Sequence, residues 1–354
     1  MRATEVIIDL SKLKSNAVFL QEKAQGREVM GILKADAYGH GAIPVLKTLT
    51  SLGWKYFGVA TIEEALEIRK VDPKIDILLL GATSIEDFPA CVGNNLSFAV
   101  HDRQTLMAAL ALQKPAKIHI KVDTGMHRLG FALDEIHKFS EEIAALNPVG
   151  IYTHLATAEE DKAYALSQVA RFKEAVDVFR ERGLTFKWVH YGNSAALLEM
   201  DLSFSNMVRA GIVLYGYSPV FPVEQLQPIM SWRSRILAVR ELAKGEGLSY
   251  GHVYVAKSAR RIATVPVGYA DGYKRQMSGE IFAWIGDQRC PQVGRITMDQ
   301  AMFDITGVDA MVGDEVELMG EHIPCACLAE AAQSNCAEIM ATIGKRVRRI
   351  YLGD

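Results

Sequence analysis

The chain has 354 residues, 49% hydrophobic and 23% charged, a balance that excludes a disordered or fibrous protein. That length exceeds what one core usually fills, so a large barrel with a second domain is the first expectation. With 39 Lys and Arg against 42 Asp and Glu the net charge is −3, and no basic stripe marks a nucleic-acid partner.

The five cysteines, Cys91, Cys290, Cys325, Cys327 and Cys336, are scattered and odd in number. Cys325 and Cys327 make a C-x-C without a second pair or histidines at zinc spacing, so reduced thiols and no metal site are expected. No apolar run reaches the length of a membrane span, and residues 1–5 carry no apolar signal region, so a cytoplasmic location is expected.

Residues 5–10 read as a strand, followed by Ser11 as the N-cap of a helix to about Glu22. Strand-like and helix-like runs then alternate. Strands are expected at 29–33, 56–60, 75–80, 96–100, 116–122, 149–153, 185–190 and 207–213. Thr61-Ile62-Glu63-Glu64 is a capping box, Asp102 is a cap, and 161–182 is a long helix with Ala165, Val169, Phe172, Val176 and Phe179 at helical spacing. Eight strands alternating with helices predict an α/β fold, a (β/α)8 TIM-like barrel over residues 1–227.

Pro219, Pro222 and Pro228 then punctuate a linker. Beyond it, strands are expected at 230–242, 250–256, 261–267, 280–285, 292–296, 302–305, 314–318 and 347–352, with a short helix at 327–333. This makes 228–354 a mostly-β C-terminal domain, with which residues 1–10 are free to pair.

In a barrel of this kind functional side chains belong at the C-terminal ends of the strands. Lys34, Lys121, His154, His190 and Arg209 each fall at or just past the end of a different strand. Lys34 opens Lys34-Ala-Asp-Ala-Tyr38-Gly-His-Gly41, where an amine can condense with an aldehyde or carry a proton. Pyridoxal 5'-phosphate asks for such a lysine, for an anion site and for a partner to its ring nitrogen. Asn193-Ser194 at a helix start, the N–H of Gly211 and the phenol of Tyr38 can make the anion site. Arg209 only donates, so a pyridine facing it stays unprotonated and is a weakened electron sink, which suits simple proton movement. Arg128, in the loop 123–131, can hold a carboxylate in a bidentate contact, and Lys121 beside it needs neutralising. Tyr250, between small residues on a turn, can reach another subunit.

These motifs resemble the alanine racemases along the whole chain. The match includes the Lys34 octapeptide, Thr153-His154-Leu155-Ala156, Asn193-Ser194-Ala195-Ala196, Arg209-Ala-Gly-Ile212, Ser249-Tyr250-Gly251, Val267-Gly-Tyr269-Ala-Asp-Gly272 and Gly294-Arg295-Ile296-Thr297-Met298-Asp299-Gln300. The resemblance implies a pyridoxal-phosphate-dependent racemase that interconverts L- and D-alanine by two bases and supplies D-alanine for peptidoglycan. It implies a head-to-tail homodimer whose sites are shared across the interface. Lys34 would carry the cofactor and act as one base, with Tyr250 of the other subunit as the opposing base. Arg209 would meet the ring nitrogen with His190 behind it, and Tyr38, Ser194, Gly211 and Ile212 would bind the phosphate. Arg128 would hold the substrate carboxylate, His154 would orient the catalytic tyrosine, and Tyr269, Met298 and Asp299 would line the entrance. The lysine matching Lys121 is often carbamylated in the family.

Three positions depart from the family pattern. His127 stands where Gly is usual, Thr297 replaces a common Cys, and Lys345 aligns with a position often held by Tyr. The first two are similar to the racemase domains of serine/alanine racemases linked to vancomycin resistance, which opens serine as a further substrate. A non-catalytic pyridoxal-phosphate carrier would lack the β domain. A barrel-type decarboxylase would want a carboxylate where Arg209 stands.

Overall fold

A computed structural model describes residues 3–353 as two units. One comprises residues 13–37 and 42–227 and is built on eight parallel strands. These are β2 (Glu28–Ile32), β3 (Tyr56–Val59), β4 (Asp76–Leu79), β5 (Ser97–Val100), β6 (Lys117–Lys121), β7 (Gly150–Tyr152), β8 (Trp188–His190) and β9 (Met207–Ala210), with β1 (Glu5–Asp9) lying outside them. Each pairs in parallel with its neighbour from β2 to β8, and β9 returns to β2 with Met30 opposite Arg209. Between β8 and β9 the ladder is reduced to single bonds, Asn206 N–H to the Val189 carbonyl at 3.1 Å and Arg209 N–H to Gly192 at 3.0 Å. The sheet is thus a nearly closed barrel, as the alternation predicts. The four residues of β5 and of β9 are all buried, as expected of strands covered on both faces.

The caps at Thr61 and Asp102 form as expected, each with a reciprocal bond from the third helical residue. The long helix runs Lys162–Arg180 from an Asp161 cap. Ser11 is not a cap. The first helix begins at Leu10, because the Asp9 carboxylate at the strand end already accepts the N–H groups of Ser11 (2.9 Å) and Lys12 (3.0 Å).

The other unit holds, of the described residues, 3–12, 38–41 and 228–353. Its six-stranded sheet has the order β16-β15-β18-β10-β1-β19, from β16 (Gln288–Pro291), β15 (Phe282–Ile285), β18 (Glu315–Met319), β10 (Met230–Arg235), β1 and β19 (Arg348–Leu352). So β1 lies in this sheet, antiparallel to β10 and parallel to β19. Trp232 and Tyr273 meet edge-on in its core, ring centroids 5.5 Å apart. The run 230–242 is broken into β10 and β11 (Ala238–Leu242), and in 250–256 the strand is reduced to Tyr254–Val255. The expected strand at 292–296 is reduced to an isolated antiparallel bridge of Gln292 to Phe303, with Val293 N–H on the Met302 carbonyl at 2.9 Å. There the buried Gln292 side chain donates to the carbonyls of Val293 and Gly294, both at 3.0 Å, doing for the backbone what a neighbouring strand would do.

Candidate active site

Lys34 follows β2 by one residue and opens a left-handed turn. Ala35, Asp36, Ala37 and Tyr38 all have φ between 52° and 55°. Four consecutive non-glycine residues in that region cost roughly 1–2 kcal/mol each, about 4–8 kcal/mol together, so the surroundings must hold the turn in place. Ala37 N–H reaches the Leu33 carbonyl at 2.8 Å, the Asp36 carboxylate takes Ala42 N–H at 2.7 Å, and the Glu64 carboxylate takes Ala35 N–H at 2.6 Å. Upstream, the buried Tyr215 hydroxyl donates to the Ile32 carbonyl at 2.7 Å, fixing the end of β2. Gly39 and Gly41 follow at φ +79° and +93°, and a Cβ on either would collide, with the Met340 carbonyl or the Tyr351 hydroxyl. The sequence predicts a loop at Lys34; its handedness has no signal beyond these two glycines.

Arg209 on β9 is buried, and its partners are two imidazoles and three carbonyls, with no carboxylate among them. Nη1 lies 2.9 Å from His190 Nδ1 and donates to the His190 carbonyl at 3.1 Å. Nη2 donates to the carbonyls of Thr153 (2.7 Å) and Tyr191 (3.2 Å) and lies 3.3 Å from His154 Nδ1. Burial brings its pKa down to about 10. Its Nε–H makes no hydrogen bond to the described residues.

Because a guanidinium only donates, the donor sense of this cluster is fixed. His190 accepts at Nδ1, carries its proton on Nε2 and hands it to His119 Nδ1 at 3.1 Å. His154 likewise accepts at Nδ1, which leaves Nε2–H free to donate. Burial, reinforced by Arg209, lowers the pKa of all three imidazoles, His119 and His154 to about 3. His119 was not among the residues expected here, although its spacing of two from Lys121 in β6 puts both on one face. At the other end of the barrel it borders a shallow cleft that also has Asp76, Lys117 and Trp188 in its wall.

Lys121, 5% exposed, donates to the Leu80 carbonyl at 3.4 Å and sits 5.4 Å above the Tyr152 ring. Burial first, then Arg128 and Arg209, bring its pKa down to about 8. The Lys34 amine is lowered by burial and by Arg128 and Arg209, and raised by Glu64. Lys34, Lys121, Arg128 and Arg209 therefore share one field at the C-terminal ends of β2, β6 and β9. The Arg128 loop is braced by the Asp123 carboxylate, which accepts the N–H groups of Gly125, Met126 and His127 at 2.9–3.1 Å. His127 itself points out, its side chain 84% exposed. Asn193 caps the short helix Ser194–Glu199, and the Ser194 hydroxyl accepts the Gly211 N–H at 3.2 Å, leaving its own O–H to donate. Ile212 begins the 3-10 turn Ile212–Tyr215. Tyr38 is pushed up to about 12 by burial and so stays a neutral donor.

The C-terminal unit carries its own group. Tyr250 is 69% exposed on a turn held by Ser249 Oγ donating to the Arg295 carbonyl at 2.9 Å. Tyr269, Met298 and Asp299 are also exposed. Arg346 ties this region together, with Nε on the buried Asp271 and Nη2 on Asp299, both at 2.7 Å. Thr297 spends its hydroxyl locally, bonding the Gln300 carbonyl at 2.9 Å and accepting Gln300 N–H at 3.1 Å. Lys345 is exposed.

Two sequence-family models match, "Alanine racemase, N-terminal domain" over residues 8–219 and "Alanine racemase, C-terminal domain" over 229–351. The alanine racemase of Clostridium tetani is 36% identical, with 98% of this chain and 95% of that protein covered. That of Geobacter sulfurreducens is 38% identical, with 99% and 97% covered. Among solved structures, alanine racemase from Bacillus anthracis with bound L-Ala-P superposes with a TM-score of 0.93 at 32% identity, covering all of this chain and 96% of that one. The biosynthetic alanine racemase from Pseudomonas aeruginosa gives 0.91 at 30% identity with both chains fully covered. The order of elements, the strand-end cations and these matches agree: the chain belongs to the alanine racemase family and is an enzyme of the racemase class.

Proposed function

We propose that the protein interconverts L- and D-alanine with pyridoxal 5'-phosphate as cofactor, in a homodimer whose sites take residues from both subunits. The observation that carries this reading is the shared field of Lys34, Lys121, Arg128 and Arg209, which is costly unless anions enter it. A phosphate and an amino-acid carboxylate are two such anions. The residues present also fit the cofactor in detail. The unpaired Nε–H of Arg209 suits a pyridine nitrogen that accepts, and the Ser194 O–H suits a phosphate oxygen, with Gly211, Ile212 and the phenol of Tyr38 added by the family resemblance. Bound, the cofactor supplies an aldehyde for an amine and an electron-withdrawing ring that acidifies the α-hydrogen.

The chain's own groups do the rest. Lys34, its amine pKa already lowered, takes and returns the α-proton on one face. Tyr250 of the partner subunit serves the other face, and the Nε2–H of neutral His154 orients its oxygen. Arg128 holds the substrate carboxylate, while Tyr269, Met298 and Asp299 guard the approach. Lys121, with a pKa near 8, is unprotonated often enough to take up carbon dioxide as a carbamate, releasing one proton, and the resulting anion would steady Arg128. The product D-alanine would feed peptidoglycan. In the test, purified protein is expected to be yellow, to racemise L-alanine and to be fixed to its cofactor at Lys34 by borohydride. A colourless protein that takes up no added pyridoxal phosphate and leaves L-alanine unchanged overturns the reading.

A further inference from the structure

We infer that Glu64 is a positioning residue for the Lys34 amine, acting through the backbone of Ala35; the inference rests on the racemase reading above. Its two carboxylate oxygens are divided between two segments. Oε2 accepts Ala60 N–H at 2.8 Å and Thr61 N–H at 3.3 Å, completing the capping box of the helix Ile62–Val71. Oε1 accepts Ala35 N–H at 2.6 Å. The cap needs only the first oxygen, so the second contact does nothing for the helix. It clips the start of the left-handed turn to the end of β3.

The place of this clip matters. Ala35 is the first of the four left-handed residues and is joined directly to Lys34. A strained turn stays put only while its surroundings over-determine it, and the carboxylate is a short, charge-assisted anchor at its first amide. Glu64 also acts on the amine as a charge. Arg128 from the loop after β6 and Arg209 from β9 lower the amine's affinity for a proton, Lys121 and His154 stand nearby as a cation and a neutral imidazole, and Glu64 raises that affinity. Glu64 is the counterweight that keeps the lysine's affinity for a proton from falling further. One side chain therefore sets both where the amine stands and how readily it holds its proton.

The test uses the full-length protein loaded with pyridoxal phosphate and three variants, Glu64→Gln, Glu64→Ala and Thr61→Ala. Glutamine keeps one accepting oxygen but turns an N–H toward the other amides. Displacing a catalytic group by about 1 Å costs on the order of a hundredfold, so kcat should fall about tenfold in Glu64→Gln and about a hundredfold in Glu64→Ala, with KM for alanine little changed. The visible absorbance of the bound cofactor should titrate at lower pH in both variants, because an anion beside Lys34 has gone. Thr61→Ala weakens the same helix start, where Thr61 Oγ1 accepts Glu64 N–H at 3.4 Å, without touching Ala35. It should lower the melting temperature and leave the absorbance titration unmoved. The inference is overturned if the Glu64 variants keep wild-type kcat and titration, or if Thr61→Ala shifts both as much as they do. Should Glu64→Ala fail to fold, Glu64→Gln decides alone. A wild-type protein that binds no cofactor and racemises nothing sinks the racemase reading instead, before any variant is made.

Discussion

His190 Nδ1 stands 2.9 Å from Arg209 Nη1, and that contact sets the proton order of the imidazoles behind the arginine. Since the arginine can only donate, His190 must accept, and the proton order runs Arg209 to His190 to His119. A protonated His190 would put a cation against the guanidinium. The cluster is therefore neutral at its imidazoles and cationic at Arg209, and it presents a donor, the Nε–H, to whatever lies beyond.

That polarity yields the first prediction. Arg209→Glu replaces the donor with an acceptor and would favour a protonated ring nitrogen, strengthening the ring's pull on electrons. Racemisation should fall by about a hundredfold or more, the scale of losing one preorganised electrostatic contact. The fraction of turnovers lost to transamination, read as pyruvate by a coupled dehydrogenase, should rise. Unchanged partitioning would show that Arg209 does not face the ring.

A second prediction concerns acid stability. The folded-state pKa values of His119 and His154 lie near 3, far below the unfolded value of about 6.5. Between those values the unfolded chain binds more protons than the folded one, so stability is intact above about 6.5 and falls as pH drops toward 3. Each histidine costs about 1.4 kcal/mol per pH unit, or together about 4 kcal/mol at pH 5. Urea unfolding at pH 7 and pH 5 measures the loss. In His119→Gln, whose amide oxygen can still accept from His190, the loss should shrink by about 2 kcal/mol. An unchanged difference would mean that His119 is protonated in the folded protein.

Much of this was legible in the residues and some was not, for reasons that can be named. The barrel was readable because β5 and β9 are mostly apolar runs, with Arg209 the one charge between them, buried on both faces, and Thr61 and Asp102 mark helix starts by their own chemistry. The strand at 292–296 misled because Val293 and Ile296 are buried, as in a strand, while the ladder stops after a single bridge of Gln292 to Phe303 and the Gln292 amide takes the Val293 and Gly294 carbonyls. Glu64 was readable as a cap and not as an anchor, since nothing local says where its second oxygen goes. The left-handed turn was hidden by Ala35 and Ala37, whose side chains have no preference for that region.

Substrate choice gives the third prediction. Thr297 and His127 suggest a more polar site, yet the Thr297 hydroxyl is spent on Gln300 and His127 points outward. Alanine should therefore be preferred, with serine turned over on the order of a hundredfold less efficiently, the usual penalty for one added hydroxyl. Thr297→Ala should leave the serine-to-alanine ratio of kcat/KM unchanged while loosening the turn 297–300. A large change in that ratio would place the hydroxyl at the substrate after all.

The last prediction is the division of two bases between subunits. A single base swinging between faces would carry back the proton it removed, so some label would return with it. Two bases on opposite faces exchange with solvent separately. Lys34 is committed to one face by its place at the end of β2, and His154, with a pKa near 3 and its Nδ1 on Arg209, is poorly suited to take a proton. Tyr250 has the exposure that a residue reaching another chain needs, 69%, and Val253 and Val255 beside it are also exposed, at 55% and 50%. Tyr250→Phe should remove proton abstraction from one enantiomer by about a hundred- to ten-thousandfold, far more than from the other. Lys34→Ala, rescued by a small amine, should show the opposite preference. Mixing the two inactive variants should restore part of the activity, because a mixed dimer assembles one site with both bases. If native mass spectrometry shows the mixed dimer forming while activity stays absent, Tyr250 does not act across the interface, and the second base must lie elsewhere on the barrel face.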